Sequence, residues 1–119
     1  MGLGDGWYDP ETQADRLWRW TNGLAQVQVT NPLTVPLALQ VRLTAFAYGE
    51  TRTLVARLDG AELTRAAVHP YPPQTLTVPL DLAPGEHWLT LASVEPAVAP
   101  PGDPRPLSLA FEQVAVTRR

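Results

Sequence analysis

Six residues near the start of the chain carry its most evident chemistry: Trp7, Tyr8, Arg16, Trp18, Arg19 and Trp20 lie within fourteen positions of one another. If Leu17 to Trp20 is extended, Trp18 and Trp20 project to one side and Arg16 joins them, so guanidinium and indole groups stack in a row. Such a row offers flat apolar plates to the C–H faces of sugar rings, with nearby Asp and Arg side chains to hydrogen-bond the hydroxyls. The same side chains could instead close one end of a core, because Trp is highly buried on average. Residue types alone leave both readings open. Trp88 has the opposite parity to Leu89 and Leu91, and is either exposed or folded over a sheet edge.

Other chemistries have thinner support. Asp5, Asp9, Glu11 and Asp15 supply hard oxygen ligands, but their spacing departs from the EF-hand loop and reads as a solvated acidic segment. His69 and His87 are the only histidines, and without Cys or an HxxxH spacing no zinc site is expected. Gly2-x-Gly4-x-Gly6 lacks a preceding strand, a following helix and a P-loop Lys-Ser/Thr, so it is no nucleotide cradle. Ser93 and Ser108 stand outside any Gly-x-Ser-x-Gly elbow. Carboxylates that converge only in space are invisible to spacing, so a small glycoside hydrolase ranks third among the readings. No catalytic residue, metal or cofactor is assigned. In Asp103-Pro104-Arg105-Pro106-Leu107 the opposite charges read as an ion pair that pins a loop, or Arg105 lines a ligand groove.

The elements that must position these groups are strands. No segment sustains an apolar pattern at i, i+3, i+4, i+7 over helical length. Leu37 to Ala47 has the clearest alternation, with Leu37, Leu39, Val41, Leu43, Ala45 and Ala47 on one face and Gln40, Arg42 and Thr44 on the other. Leu76 to Leu82 repeats it, with Pro79 on the outer face marking an edge or a bulge, and Ala25 to Thr30 does the same. Shorter strands are expected over Thr53 to Leu58, Ala61 to Val68, His87 to Val94 and Pro106 to Thr117. Asp59-Gly60 has tight-hairpin chemistry and Pro84-Gly85 that of a type II turn. Leu107, Leu109 and Phe111 differ in parity from Val114 and Val116, which calls for a β-bulge near Glu112 and Gln113.

About seven or eight strands, with turn signals roughly every 8 to 14 residues, predict an all-β, two-sheet antiparallel sandwich of jelly-roll type. Residues 1–15 are expected to form an N-terminal loop leading to a first strand around Leu17 to Trp20. The Pro-rich stretch 95–105 is expected to be a second long loop.

At 119 residues the chain is expected to be a single domain, residues 1–119, with one core. It is 45% hydrophobic and 18% charged, so it should fold rather than remain disordered. Cysteine is absent, which excludes disulfides and thiol catalysis. The net charge is -3, and the nine basic residues, all Arg, are scattered. A nucleic-acid partner is therefore not expected. No stretch approaches the roughly 20 apolar residues that span a bilayer, and the start of the chain lacks a signal-peptide pattern, so a soluble, untargeted chain with no direct membrane insertion is expected.

Several short motifs add a resemblance: Gly6-Trp7-Tyr8-Asp9-Pro10-Glu11, Arg19-Trp20-Thr21-Asn22-Gly23, Leu58-Asp59-Gly60, Pro84-Gly85-Glu86-His87 and Asp103-x-Arg105-x-Leu107. Their order and spacing resemble the extracytoplasmic β-sandwich modules attached to bacterial polytopic membrane glycosyltransferases and related membrane proteins. The likeness spans nearly the whole chain, although the transmembrane catalytic part that accompanies such modules is absent from it. The resemblance implies a non-catalytic accessory role, carbohydrate-binding or cell-envelope associated, outside the cytoplasm, with a glycan as partner. It singles out Trp7, Tyr8, Arg19, Trp20, Asp103 and Arg105. The rival reading is a structural protein that forms a homo-oligomer or docks on a partner such as a membrane-protein parent. Val55, Phe46 and Tyr48, off the core parity, would feed such an interface.

Overall fold

A computed structural model describes all residues, Met1 to Arg119. It contains ten strands and no helix: β1 (Gly2–Leu3), β2 (Trp7–Gln13), β3 (Arg16–Thr21), β4 (Leu24–Asn31), β5 (Leu37–Ala47), β6 (Arg52–Leu58), β7 (Ala61–Val68), β8 (Gln74–Leu82), β9 (Gly85–Ser93) and β10 (Leu109–Arg118). They form two five-stranded sheets, ordered β1-β4-β9-β6-β7 and β2-β3-β10-β5-β8. Every pairing is antiparallel. The expected sandwich is thus present, built from more strands than expected.

The core follows from strand parity. Leu39, Val41, Leu43, Ala45 and Ala47 of β5 meet Val78, Leu80 and Leu82 of β8, and the opposing sheet contributes Val27, Leu54, Leu89 and Leu91. Burying each Leu and Val among them supplies about 1.5–3 kcal/mol. Pro79 sits in β8, at the edge of its sheet, where a missing donor costs nothing. The register of β10 against β5 slips between Phe111 and Gln113. That bulge turns Phe111 and Val114 to the same inner side, as their parity required. Asp59 and Gly60 both have positive φ, 49° and 88°, the backbone a tight I′ hairpin needs.

The start of the chain is not a loop. Gly4 N–H donates to the Gln26 carbonyl at 2.8 Å and Gln26 N–H to the Asp5 carbonyl at 2.9 Å, which ties β1 to β4. The pairing of β2 with β3 slips between Trp7 and Pro10, so the segment shows no simple alternation and its strand character was hidden. Those two strands account for most of the excess over the expected count. Val55 is a second correction: its parity points outward, but it is 1% exposed and cannot feed an interface. Between Ser93 and Leu109 the Pro-rich segment makes one isolated bridge, Val98 to Leu107. Arg52, also 1% exposed, holds its beginning by donating to the Glu95 and Pro96 carbonyls at 3.3 and 2.6 Å.

Candidate functional site: an aromatic sheet face

The solvent side of the sheet centred on β10 carries an aromatic strip. Trp18 and Trp20 project from β3, Phe46 from the end of β5 and Tyr48 from just beyond it. They pack edge to face: Trp18–Phe46 at 6.2 Å between ring centroids, Trp20–Phe46 at 5.2 Å and Trp20–Tyr48 at 5.9 Å. All four remain partly exposed. Arg16 caps the strip, its guanidinium 5.6 Å from both the Trp18 and the Phe46 ring and paired with Glu112. Further along the same face Thr44 hydrogen-bonds Thr75 at 3.0 Å and Gln113 at 3.4 Å. The face therefore runs from aromatic rings on β3 and β5 into hydroxyl, amide and guanidinium groups, Arg42 lying between Ala115 and Thr77 in the register.

A charged cluster borders the strip. Glu11 lies opposite Trp18 in the β2–β3 register, and Arg105 reaches it at 3.4 Å. Arg105 also grips Asp103 at 2.8 Å and lies 5.3 Å from the Tyr8 ring. The Tyr8 hydroxyl donates to the Pro106 carbonyl at 2.8 Å. These contacts hold the Asp103 carboxyl below the usual carboxylate range, chiefly through the hydrogen bonds from Arg105, and raise Arg105 further through the same partner.

The six residues singled out from the sequence divide between two faces. Tyr8, Trp20, Asp103 and Arg105 lie on or beside the aromatic face. Trp7 points between the sheets, with Nε1 donating to the Gln26 carbonyl at 2.8 Å and its ring 5.5 Å from Phe111. Arg19, which donates to the Tyr8 carbonyl at 3.1 Å, joins Trp7, Leu17 and Phe111 around a cavity of about 210 Å³ at the inter-sheet edge. Even so, the motifs meet. Trp7 pairs with Thr21, Asn22 N–H donates to the Gly6 carbonyl at 3.1 Å, and Ser108 N–H donates to the Thr21 carbonyl at 3.1 Å. Phe46 and Tyr48 complete the strip; their outward parity was legible, but not their meeting with Trp18 and Trp20 across β10.

No group of three or more His, Cys, Asp or Glu side chains converges in a way that could hold a metal ion. The two histidines are apart. His87 Nδ1 lies 2.5 Å from Asp59 Oδ2 and its Nε2 2.7 Å from the Ala83 carbonyl. Both ring nitrogens face acceptors, so the hydrogen bond to Asp59 and then that to Ala83 raise the His87 pKa, and the same pair lowers that of Asp59.

These features define a β-sandwich with an aromatic-and-polar outer sheet face. No protein-family model matches the sequence, and no curated protein matches it. Solved structures do match the fold. A sugar-binding protein, the EclA C-terminal domain, aligns with a TM-score of 0.67 at 10% identity, over 90% of this chain and 81% of that one. A family 35 carbohydrate-binding module from Clostridium thermocellum aligns at 0.61 and 10% identity, over 93% and 88%. The module CBM36, solved with calcium and xylotriose, aligns at 0.57 and 10% identity, over 98% and 93%. At such identities the likeness is one of fold.

Proposed function

We propose that residues 1–119 act as one non-catalytic carbohydrate-binding module whose ligand lies on the strip of Trp18, Phe46, Trp20 and Tyr48. The observation that carries this reading is the partly exposed strip itself, continuous with polar side chains on one sheet face. Sugar rings lay their C–H faces on such plates, while Arg16, Glu11 and the Thr44–Gln113 ladder take the hydroxyls. The fold shared with sugar-binding modules supports the same reading. The motif resemblance supports a finer one, an envelope module accompanying a bacterial membrane glycosyltransferase; that rests on the motifs alone.

The test is tryptophan fluorescence with iodide quenching, titrated with xylan, mannan and β-1,3-glucan. Protection of the quenched fraction by one glycan, weakened roughly tenfold by Trp20→Ala, is expected. Failure of every glycan to protect any tryptophan overturns the reading.

A second reading, self-association, is favoured by Met1, Leu3 and Leu17, which line the inter-sheet cavity while remaining 64%, 43% and 53% exposed. It predicts a dimer in sedimentation equilibrium that Leu17→Glu dissociates.

A further inference from the structure

We propose that Trp88 forms a second saccharide platform on the outer face of the opposite sheet, so that one chain holds two glycan segments back to back. The inference extends the carbohydrate-binding reading and rests on it for the ligand class.

Trp88 lies on β9 between β4 and β6. Its neighbour Leu89 is fully buried while Trp88 is 42% exposed, so the indole stands on the solvent side. Its benzo edge is seated against Gly4: a methyl group there would come within 2.8 Å of Cζ3 and 3.3 Å of Cη2. Only glycine leaves that seat open.

The backbone beneath the ring is held from two directions. Trp88 N–H donates to Asp59 Oδ1 at 2.9 Å, and Asp59 N–H donates back to the Trp88 carbonyl at 2.8 Å. Asp59 is in turn held by His87. A plate fixed before binding loses little entropy when a ligand arrives.

The surroundings point to a sugar rather than a protein. Gln28 is the register partner of Trp88, and Gln26 and Arg57 both pair with Thr90 one step along the same face. The side-chain amides of Gln26 and Gln28 make no hydrogen bond within the fold. A protein interface needs a contiguous apolar centre, and here one ring has amides, a hydroxyl and a guanidinium as register neighbours and the Asp59 carboxylate at its base. That pattern fits one pyranose face on the indole, with its hydroxyls on Gln26 and Gln28. The aromatic strip described above is on the other sheet, so the two platforms face away from each other and cannot share one ring.

The test follows the four indole N–H signals of the ¹⁵N-labelled full chain, assigned by single Trp→Phe variants and titrated with xylotriose, mannotriose and cellotriose. The proposal expects the Trp88 signal to move, to keep its midpoint in Trp20→Ala, and to weaken at least roughly fivefold in Gly4→Ala and Gln28→Ala, which leave the Trp20 response intact. If the Trp18 and Trp20 signals move and that of Trp88 does not, this proposal is overturned and the module reading survives. Movement of Trp88 alone keeps this proposal and overturns the strip as the binding face. No movement with any of the three sugars to tens of millimolar overturns both. A Trp88 signal that shifts with protein concentration, without sugar, overturns the proposal in favour of contact between copies.

Discussion

Trp20 and Phe46 meet edge to face, with 5.2 Å between ring centroids, although their strands are not neighbours. β10 runs between β3 and β5, and a single residue, Ala110, is the register partner of both Trp20 and Phe46. Ala110 is fully buried yet belongs to the outer face, because the two rings close over its methyl group. The strip exists because the intervening side chain is small.

Ala110→Leu should force the rings apart. Inserting a branched side chain under a closed contact costs about 1–3 kcal/mol, read in urea denaturation. The same variant should weaken glycan binding on this face while leaving the Trp88 response unchanged. Retention of full stability and binding would mean that the rings do not rely on Ala110.

Trp18 carries an apparent defect: its Nε1 is buried without a hydrogen-bond partner. An unpaired buried donor costs about 1–3 kcal/mol. Trp18→Phe removes that donor and keeps an aromatic ring beside Phe46, so the lost contact area is offset. The expected stability change is below about 1 kcal/mol in either direction. A loss above about 3 kcal/mol would show that the indole nitrogen is paired in solution, for instance through water.

The His87–Asp59 pair predicts a pH signature with a definite sign. The folded-state pKa of His87 is raised above the ordinary imidazole value of 6.5 by its hydrogen bonds to Asp59 and the Ala83 carbonyl. Its contribution is therefore complete below that value and is lost as the pH rises through the higher folded-state pKa. Asp59 is lowered from 3.8, so its contribution is present above that value and is lost as the pH falls through the lower folded-state pKa. Thermal melts should show Tm declining as the pH rises above about 6.5, and His87→Gln should abolish that decline. An unchanged pH profile in the variant would remove the pair as its cause.

The legible part of this fold was the part governed by simple alternation. β5 was readable to its ends because each of its residues has one face, and the bulge after Phe111 was readable because parity failed there. β2 was not, since its pairing slips between Trp7 and Pro10 and Trp7 ends up facing inward. The site shows the same limit. Stacking of Arg16, Trp18 and Trp20 follows from spacing along one strand, whereas Phe46 joins them through a pairing with β10 more than sixty residues away in sequence. Tyr8 and Arg105, named from short motifs, come together because the Pro-rich segment turns back over β2, which no local signal specifies.

Arg52 supplies the last prediction, about what holds that segment. Its guanidinium is buried without a carboxylate within ion-pair distance, and it donates to three carbonyls: Tyr48 at 3.0 Å through Nε, and Glu95 and Pro96 through one terminal nitrogen. The Glu95 carboxylate is engaged instead by Thr53, whose backbone N–H and hydroxyl lie at 2.5 and 3.0 Å. Arg52 thus joins the turn that presents Tyr48 to the start of the Pro-rich segment. Arg52→Met keeps much of the apolar stem but leaves the Pro96 carbonyl without a donor, while the Tyr48 and Glu95 carbonyls keep only Glu50 N–H and the Ser93 hydroxyl, at a cost of about 1–3 kcal/mol. Limited proteolysis should then cut within residues 95–105 before global unfolding, and the Tyr48 end of the strip should lose ligand contact. If the variant resists the protease as well as the parent chain does, the segment is held by the Val98–Leu107 bridge and the Asp103–Arg105 pair without help from Arg52.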